Sequence, residues 1–221
     1  MIRIFIFSYA GDAAEATACV RCARMAVPCA SVTVVDDASH PVREETAEVL
    51  RSMGAEYVQS SWERHGNLRG PDCIRGMLSE MCRDAGDDDI LVKVDCDTAL
   101  LDGGWLRWME QRRWCQMYAS GSLVDGEWMI YGCLYALRGR VARRLLRDMD
   151  WENMDALAPE DWTIGRAALA SFPAALARID EPWSQRTPWS SWTAWCWYSL
   201  TASPERYASR FAVVTTGNPR L

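Results

Sequence analysis

Asp95 and Asp97 stand one residue apart at the end of the apolar run Ile90-Leu91-Val92-Lys93-Val94, and Lys93 is the only lysine of the chain. A buried carboxylate is costly unless it is paired, hydrogen-bonded or metal-bound. The pair therefore caps an exposed strand end or holds something. In extended backbone alternate side chains share a face, which puts Lys93, Asp95 and Asp97 on one side and Val94 and Cys96 on the other. Two carboxylates on one face suit a hard divalent cation, Mg²⁺ or Mn²⁺, shared with a phosphate-bearing substrate. Two further acidic pairs have similar settings. Asp36-Asp37 ends the apolar run "SVTVVDD", and Glu160-Asp161 follows Pro159. The last pair reads equally as charge compensation at a helix N-terminus or as a source of a catalytic base.

These groups are placed by a regular series of elements. "IRIFIF", residues 2–7, predicts a strand, and a Ser-Tyr-Ala-Gly turn leads into a helix that Pro28 ends. A strand over 31–37, a helix over 41–54 closed by Gly54, a strand over 55–61, a helix at 72–85 and the strand 90–95 follow. This β-α-β-α-β-α-β order predicts an α/β layered domain around a largely parallel sheet. Ligands of such sheets bind beyond the carboxyl ends of the strands. Ser8 and Tyr9, Asp36 and Asp37, and Asp95 and Asp97 all fall there. The second half is less regular: a helix at 104–113, strands at 114–120 and 128–139, the Arg-rich helix 140–149, a short helix within 158–171 and a late strand at 210–216. With no linker and no repeat, a single domain over 1–221 is expected. Its regular half would be 1–100 and its less regular half 101–221.

The net charge of −6 argues against a general nucleic-acid surface, while leaving room for a local basic pocket. The 49% hydrophobic content is enough for a sizeable core. Nine scattered cysteines, no signal-like start and no run long enough to span a membrane fit a reduced, cytoplasmic protein. The Cys19-Val20-Arg21-Cys22 spacing lies in an Ala-rich helical stretch without a second pair, and is read as core packing.

"VVDDAS" followed by "VKVDCDTALLD" resembles the nucleotide-sugar-dependent glycosyltransferases of the GT-A fold. "HGNLRGPDCIRG", "YGCLYALRGRVARRL" and "PEDWTIG" are similar to segments in the same order in that family, and the resemblance covers about residues 1–170. It implies donor contacts from Ser8, Tyr9, Asp36, Asp37, Asn67, Arg75 or Arg69, Lys93 and Asp95. It also implies Mn²⁺ or Mg²⁺ held by Asp95 and Asp97 with a diphosphate, and Asp161 as the base of an inverting transfer, with Glu160 as the alternative. Lys93 either touches phosphate or pairs with Asp95. Many members complete the metal site with a C-terminal histidine, whereas this chain has only His40 and His65.

The nucleotide-sugar donor is expected to be a UDP-sugar. The acceptor, a glycan, lipid or small molecule, is open. Trp162, Trp189 and Trp192 are candidate acceptor contacts, because indole faces stack on sugar rings. Trp189, Trp192 and Trp195 also suit one helical face that closes the sheet, and the tail or the Arg-rich helix could touch a membrane surface peripherally. Two other readings stand beside the enzyme. One is a non-catalytic GT-A fold protein that binds a nucleotide or glycan. The other is a sugar-phosphate nucleotidyltransferase, disfavoured because "FSYAGDAAEA" lacks its Gly-rich, Arg-containing loop.

Overall fold

Seven strands make the central sheet, and the apolar, β-branched segments of the first half supply its middle. A computed structural model of the chain describes residues 1–64, 68–180, 203–209 and 211–215, and the backbone of 193–195. In chain order the strands are β1 (Ile2–Ser8), β2 (Ser31–Asp36), β3 (Glu56–Gln59), β4 (Ile90–Asp95), β5 (Thr98–Leu100), β6 (Met117–Val124), β7 (Glu127–Arg138), β8 (Ala177–Asp180), β9 (Thr193–Trp195) and β10 (Val213–Thr215). The helices are α1 (Ala13–Ala26), α2 (Glu44–Ser52), α3 (Pro71–Cys82), α4 (Gly104–Gln111), α5 (Gly139–Asp148) and α6 (Glu160–Ser171). The main sheet has the order β3-β2-β1-β4-β7-β6-β8. β7 alone runs against its neighbours, so the sheet is mostly parallel.

β1 and β4 read as continuous apolar runs because both of their faces are covered. Ile4, Ile6, Val92 and Val94 face α1, while Phe5, Phe7 and Leu91 face α3, α5 and α6. Lys93 interrupts this pattern with a charge that is only 1% exposed. α1 buries Ala16, Cys19, Val20 and Ala23 against the first face. Both cysteines are free, buried thiols, Cys19 in that packing, where its Sγ donates to the Thr98 carbonyl at 2.8 Å, and Cys22 against Ala99 and Val214 of β5 and β10. Core packing is therefore the right account of the Cys-x-x-Cys spacing.

The strand and helix order expected for residues 1–95 is found, with ends moved by a few residues. The extended alternation read from Lys93 on to Asp97 is not. β4 stops at Asp95, residues 96–97 turn, and β5 begins a second, three-stranded sheet of order β5-β10-β9. β10 pairs antiparallel with β5, bringing Thr215 opposite Thr98. In the second half, β6 and β7 form a hairpin through Asp125-Gly126, and Gly126 has φ +85°. The edge strand β8 was not expected. Among the described residues no helix is long and apolar enough to cross a membrane.

Candidate active site

Two hollows adjoin at the carboxyl ends of β1, β2 and β4, and Arg64 lines both. The first, about 390 Å³, is lined by Tyr9, Ala10, Gly11, Asp37, His40, Glu63 and Arg64. The second, about 310 Å³, includes Arg64, Arg69, Lys93, Asp95, Asp97, Gly132, Glu160, Asp161 and Thr215 in its lining.

In the first hollow, Asp37 is an organiser of backbone. Its carboxylate accepts from the N–H groups of Ser39 (3.1 Å), His40 (2.9 Å) and Arg64 (2.7 Å). Burial opposes its charge, but these bonds prevail and hold its pKa below the usual carboxylate value. The bond to Arg64 fastens the loop after β3 to the end of β2. The Arg64 guanidinium then lies 4.9 Å from the Tyr9 ring centroid and donates to the Phe7 carbonyl (3.2 Å) and to Asp12 Oδ2 (3.3 Å). The thiol of Cys96 donates to the same Asp12 oxygen at 2.6 Å, linking the Asp95-Cys96-Asp97 turn to the start of α1. An aromatic ring, a guanidinium and a fixed carboxylate at strand ends can receive a nucleoside and its first phosphate.

Lys93 organises the second hollow. Its ammonium donates to Asp95 Oδ1 at 2.7 Å and to the Gly132 carbonyl, and Glu160 Oε2 lies 3.4 Å away. Burial alone would lower its pKa, yet the carboxylates of Asp95 and Glu160 more than offset this and raise it, so Lys93 stays charged. Glu160, 3% exposed, also accepts from the Tyr135 hydroxyl. Burial pushes its pKa up to about 7 against the pull of Lys93. Its neighbour Asp161 is more open: Oδ2 accepts from the Gly132 N–H at 3.1 Å and Oδ1 from the Trp162 N–H at 2.8 Å. A Cβ at Gly132 would stand 3.2 Å from both Asp161 Oδ2 and Glu160 Oε2, so a bare backbone lets the two carboxyl groups reach β7.

The start of α6 is aimed by a short backbone clasp. Gly70 donates to the Ala158 carbonyl at 3.0 Å and Glu160 donates to the Leu68 carbonyl at 3.1 Å. Gly70 has φ +81°, and a Cβ there would meet the Ala156 carbonyl oxygen at 2.6 Å. A glycine is required on both counts.

The structure sorts the expected site residues. Tyr9, Asp37, Arg69, Lys93, Asp95, Asp97, Glu160 and Asp161 line the two hollows. Ser8 and Asp36 do not. Both are 1% exposed, and Ser8 Oγ donates to Asp36 at 2.8 Å. The other Asp36 oxygen accepts from Val42 N–H (2.7 Å) and the Tyr57 hydroxyl (2.6 Å), so this pair ties β1, β2 and β3 together beneath the site. Arg75 lies on the exposed face of α3, opposite Ile74, Met77 and Leu78, and lines neither hollow. Lys93 takes the pairing role left open by its sequence position. Trp162 is 44% exposed and lines a separate groove of about 430 Å³ between α5 and α6, with the Arg166 guanidinium 5.0 Å from its ring. Asn67, Trp189 and Trp192 lie outside the described residues, as does His65.

Arg64, Asp12, Tyr135, Gly132 and Thr215 were missed in the sequence. Only Arg64 had a usable signal: it is a basic residue in the same post-β3 loop as Arg69. The others are brought in by pairings distant in the chain. Oxygen atoms dominate the carboxylate end of the second hollow, and one oxygen of Asp95 is committed to Lys93. Among the described residues no group of three or more His, Cys, Asp or Glu side chains is disposed to hold a metal ion. This set fits a hard cation that takes one or two protein carboxylates and completes its shell with phosphate oxygens and water.

No known protein-family model matches the chain, and no curated protein does. Solved structures do match. The galactosyltransferase LgtC, in complex with donor and acceptor sugar analogues, is 15% identical with a TM-score of 0.58, over 98% of this chain and 87% of that chain. Glucosyl-3-phosphoglycerate synthase from Mycobacterium tuberculosis, in complex with Mn²⁺, UDP and glucosyl-3-phosphoglycerate, is 14% identical with a TM-score of 0.55, over 82% and 69% of the two chains. The mannosyltransferase PcManGT from Pyrobaculum calidifontis, in complex with GDP-mannose and Mn²⁺, is 16% identical with a TM-score of 0.51, over 82% and 54%. With its mostly parallel seven-stranded sheet and strand-end site, the chain has the GT-A fold of the nucleotide-sugar glycosyltransferases.

Proposed function

We propose that this protein is a metal-assisted, inverting glycosyltransferase that moves a sugar from a nucleoside-diphosphate donor, a UDP-sugar, to a hydroxyl-bearing acceptor. The observation that carries it is the pair of adjoining hollows, one lined by Tyr9, Asp37 and Arg64 and one lined by carboxylates, joined by Arg64 at the strand ends of a GT-A sheet. The whole chain acts as one unit, with 1–100 supplying the nucleotide side and 101–221 the acceptor side.

Tyr9, Asp37 and Arg64 receive the nucleoside, and Arg64 and Arg69 face the diphosphate. Asp97 and the free oxygen of Asp95 would hold Mn²⁺ or Mg²⁺. When bound, the ion neutralises the negative charge that grows on the departing diphosphate. Asp161 accepts the proton of the acceptor hydroxyl, oriented by the Gly132 and Trp162 N–H groups, and the clasp between Gly70 and Ala158 fixes its reach. Glu160 stays behind it as the partner of Lys93 and Tyr135. The groove beside Trp162 is on the acceptor side, for a glycan, lipid or small molecule, and the Arg-rich α5 is the face for any peripheral membrane contact.

Calorimetric titration with a panel of nucleoside diphosphates, with and without Mn²⁺, tests this reading. Metal-dependent binding of UDP is expected, lost in Asp97→Ala while that variant keeps its circular dichroism and melting temperature. Binding of no nucleotide under any condition would turn the reading to a non-catalytic protein of the same fold.

A further inference from the structure

We propose that Lys93 is an internal counter-ion that keeps the Asp95 carboxylate from binding a divalent cation on its own, so that the cation enters only together with the diphosphate. This rests on the donor-site reading above. The ammonium sits under the carboxylates, 1% exposed, and bonds Asp95 from β4, the Gly132 carbonyl from β7 and Glu160 from α6; the Tyr135 ring centroid is 5.9 Å away. It thus occupies from within a cationic position that an incoming ion would otherwise fill. Arg64 is paired with Asp12, so in the lining it is Lys93, between Asp95 and Glu160, that sets its charge directly against the carboxyl groups. A divalent ion at Asp95 works against that adjacent ammonium until a diphosphate adds its own negative charge.

The lone lysine fits this role better than an arginine would. A compact ammonium can point three donors at three acceptors that surround it, whereas a planar guanidinium spreads its donors in one plane. Lys93 is accordingly a positioning residue: it acts through Asp95 and does not touch substrate.

The test is Mn²⁺ titration of the full chain without nucleotide, followed by calorimetry or by the paramagnetic signal of free Mn²⁺. Lys93→Met should bind Mn²⁺ at least about tenfold more tightly than wild type, because Asp95 is released from its ion pair. A purely structural lysine predicts the opposite sign, since its loss would loosen both carboxylates and weaken Mn²⁺ binding. Unchanged or weaker binding in folded Lys93→Met overturns the inference. Glu160→Gln at pH 8 is the second variant, for use if Lys93→Met does not fold. It leaves the ammonium's charge to Asp95 alone, and should weaken Mn²⁺ binding by about threefold or more. Equal or tighter binding there also overturns the inference. Because no nucleotide is present, these results are independent of the UDP titrations. Absence of UDP binding removes the glycosyltransferase reading, and absence of the affinity change removes the role of Lys93.

Discussion

Asp36-Asp37 and Glu160-Asp161 are both adjacent acidic pairs at the boundary of an element, and the structure divides them in the same way. In each, the first residue is buried and fully engaged by neighbours, while the second reaches a hollow. The partners differ. Asp36 is held by two hydroxyls and an amide, and among the described residues no cation pairs with it. Glu160 is held by a hydroxyl and a buried ammonium that it shares with Asp95. One buried acid stitches strands, and the other is wired to the site. An acidic pair at a strand or helix end is therefore two different residues, separated by which side of the backbone faces the core.

The largest effect should come from Asp36→Ala. It leaves the Ser8 and Tyr57 hydroxyls and the Val42 N–H without their acceptor, at a cost of about 4 kcal/mol by chemical denaturation. A loss below about 1 kcal/mol would place Asp36 outside the stitching role. Glu160 makes a pH-dependent contribution of opposite character. Its folded pKa is raised from 4.5 to about 7, so between those values the unfolded chain gives up the proton while the native state keeps it. Stability should fall as pH rises from about 4.5 to about 7, by about 3 kcal/mol. Glu160→Gln should flatten that slope, and an unchanged slope would show that Glu160 is ionised throughout.

Asp161→Asn touches the more open member of the second pair. Sugar transfer should drop by two orders of magnitude or more, about 2.7 kcal/mol, with UDP affinity within about threefold of wild type. Near-normal turnover would take the base role from Asp161. At the first hollow, Arg64→Ala should weaken UDP binding about tenfold by isothermal titration. Arg75→Ala should leave it within about twofold, since that side chain faces solvent across α3. Equal losses in the two arginine variants would break the distinction drawn between the loop and the helix.

The parallel half of the fold was legible because its signals are local. Apolar runs of strand length, Pro and Gly at helix ends and acids in first turns mark β1 through β4 without reference to any distant residue. The strand-end rule picked out Tyr9, Asp37, Asp95 and Asp97, which line the hollows, but could not separate Ser8 and Asp36 from them. That separation depends on Tyr57 and the Val42 amide arriving from β3 and the loop after β2. Arg75 falls outside the hollows for a related reason: α3 turns Cys73, Ile74, Met77 and Leu78 inward, and its fifth residue is carried to the far side. β10 was expected as a late strand, but the small sheet it joins, β8 and the placing of Thr215 beside the site went unread because each exists only through pairing with a segment far away in the chain.

The sequence by itself determined the β-α order, the apolar layers and the presence of carboxylates at three element ends, because periodicity and end signals are properties of short stretches. Only the tertiary structure decided which of those carboxylates is a structural strut and which faces a ligand. It alone set the one lysine between Asp95 and Glu160, residues from β4 and α6 that lie 65 positions apart. The physical reason is that a charge's role depends on its distance to other charges and to water, and folding sets those distances by bringing distant segments together.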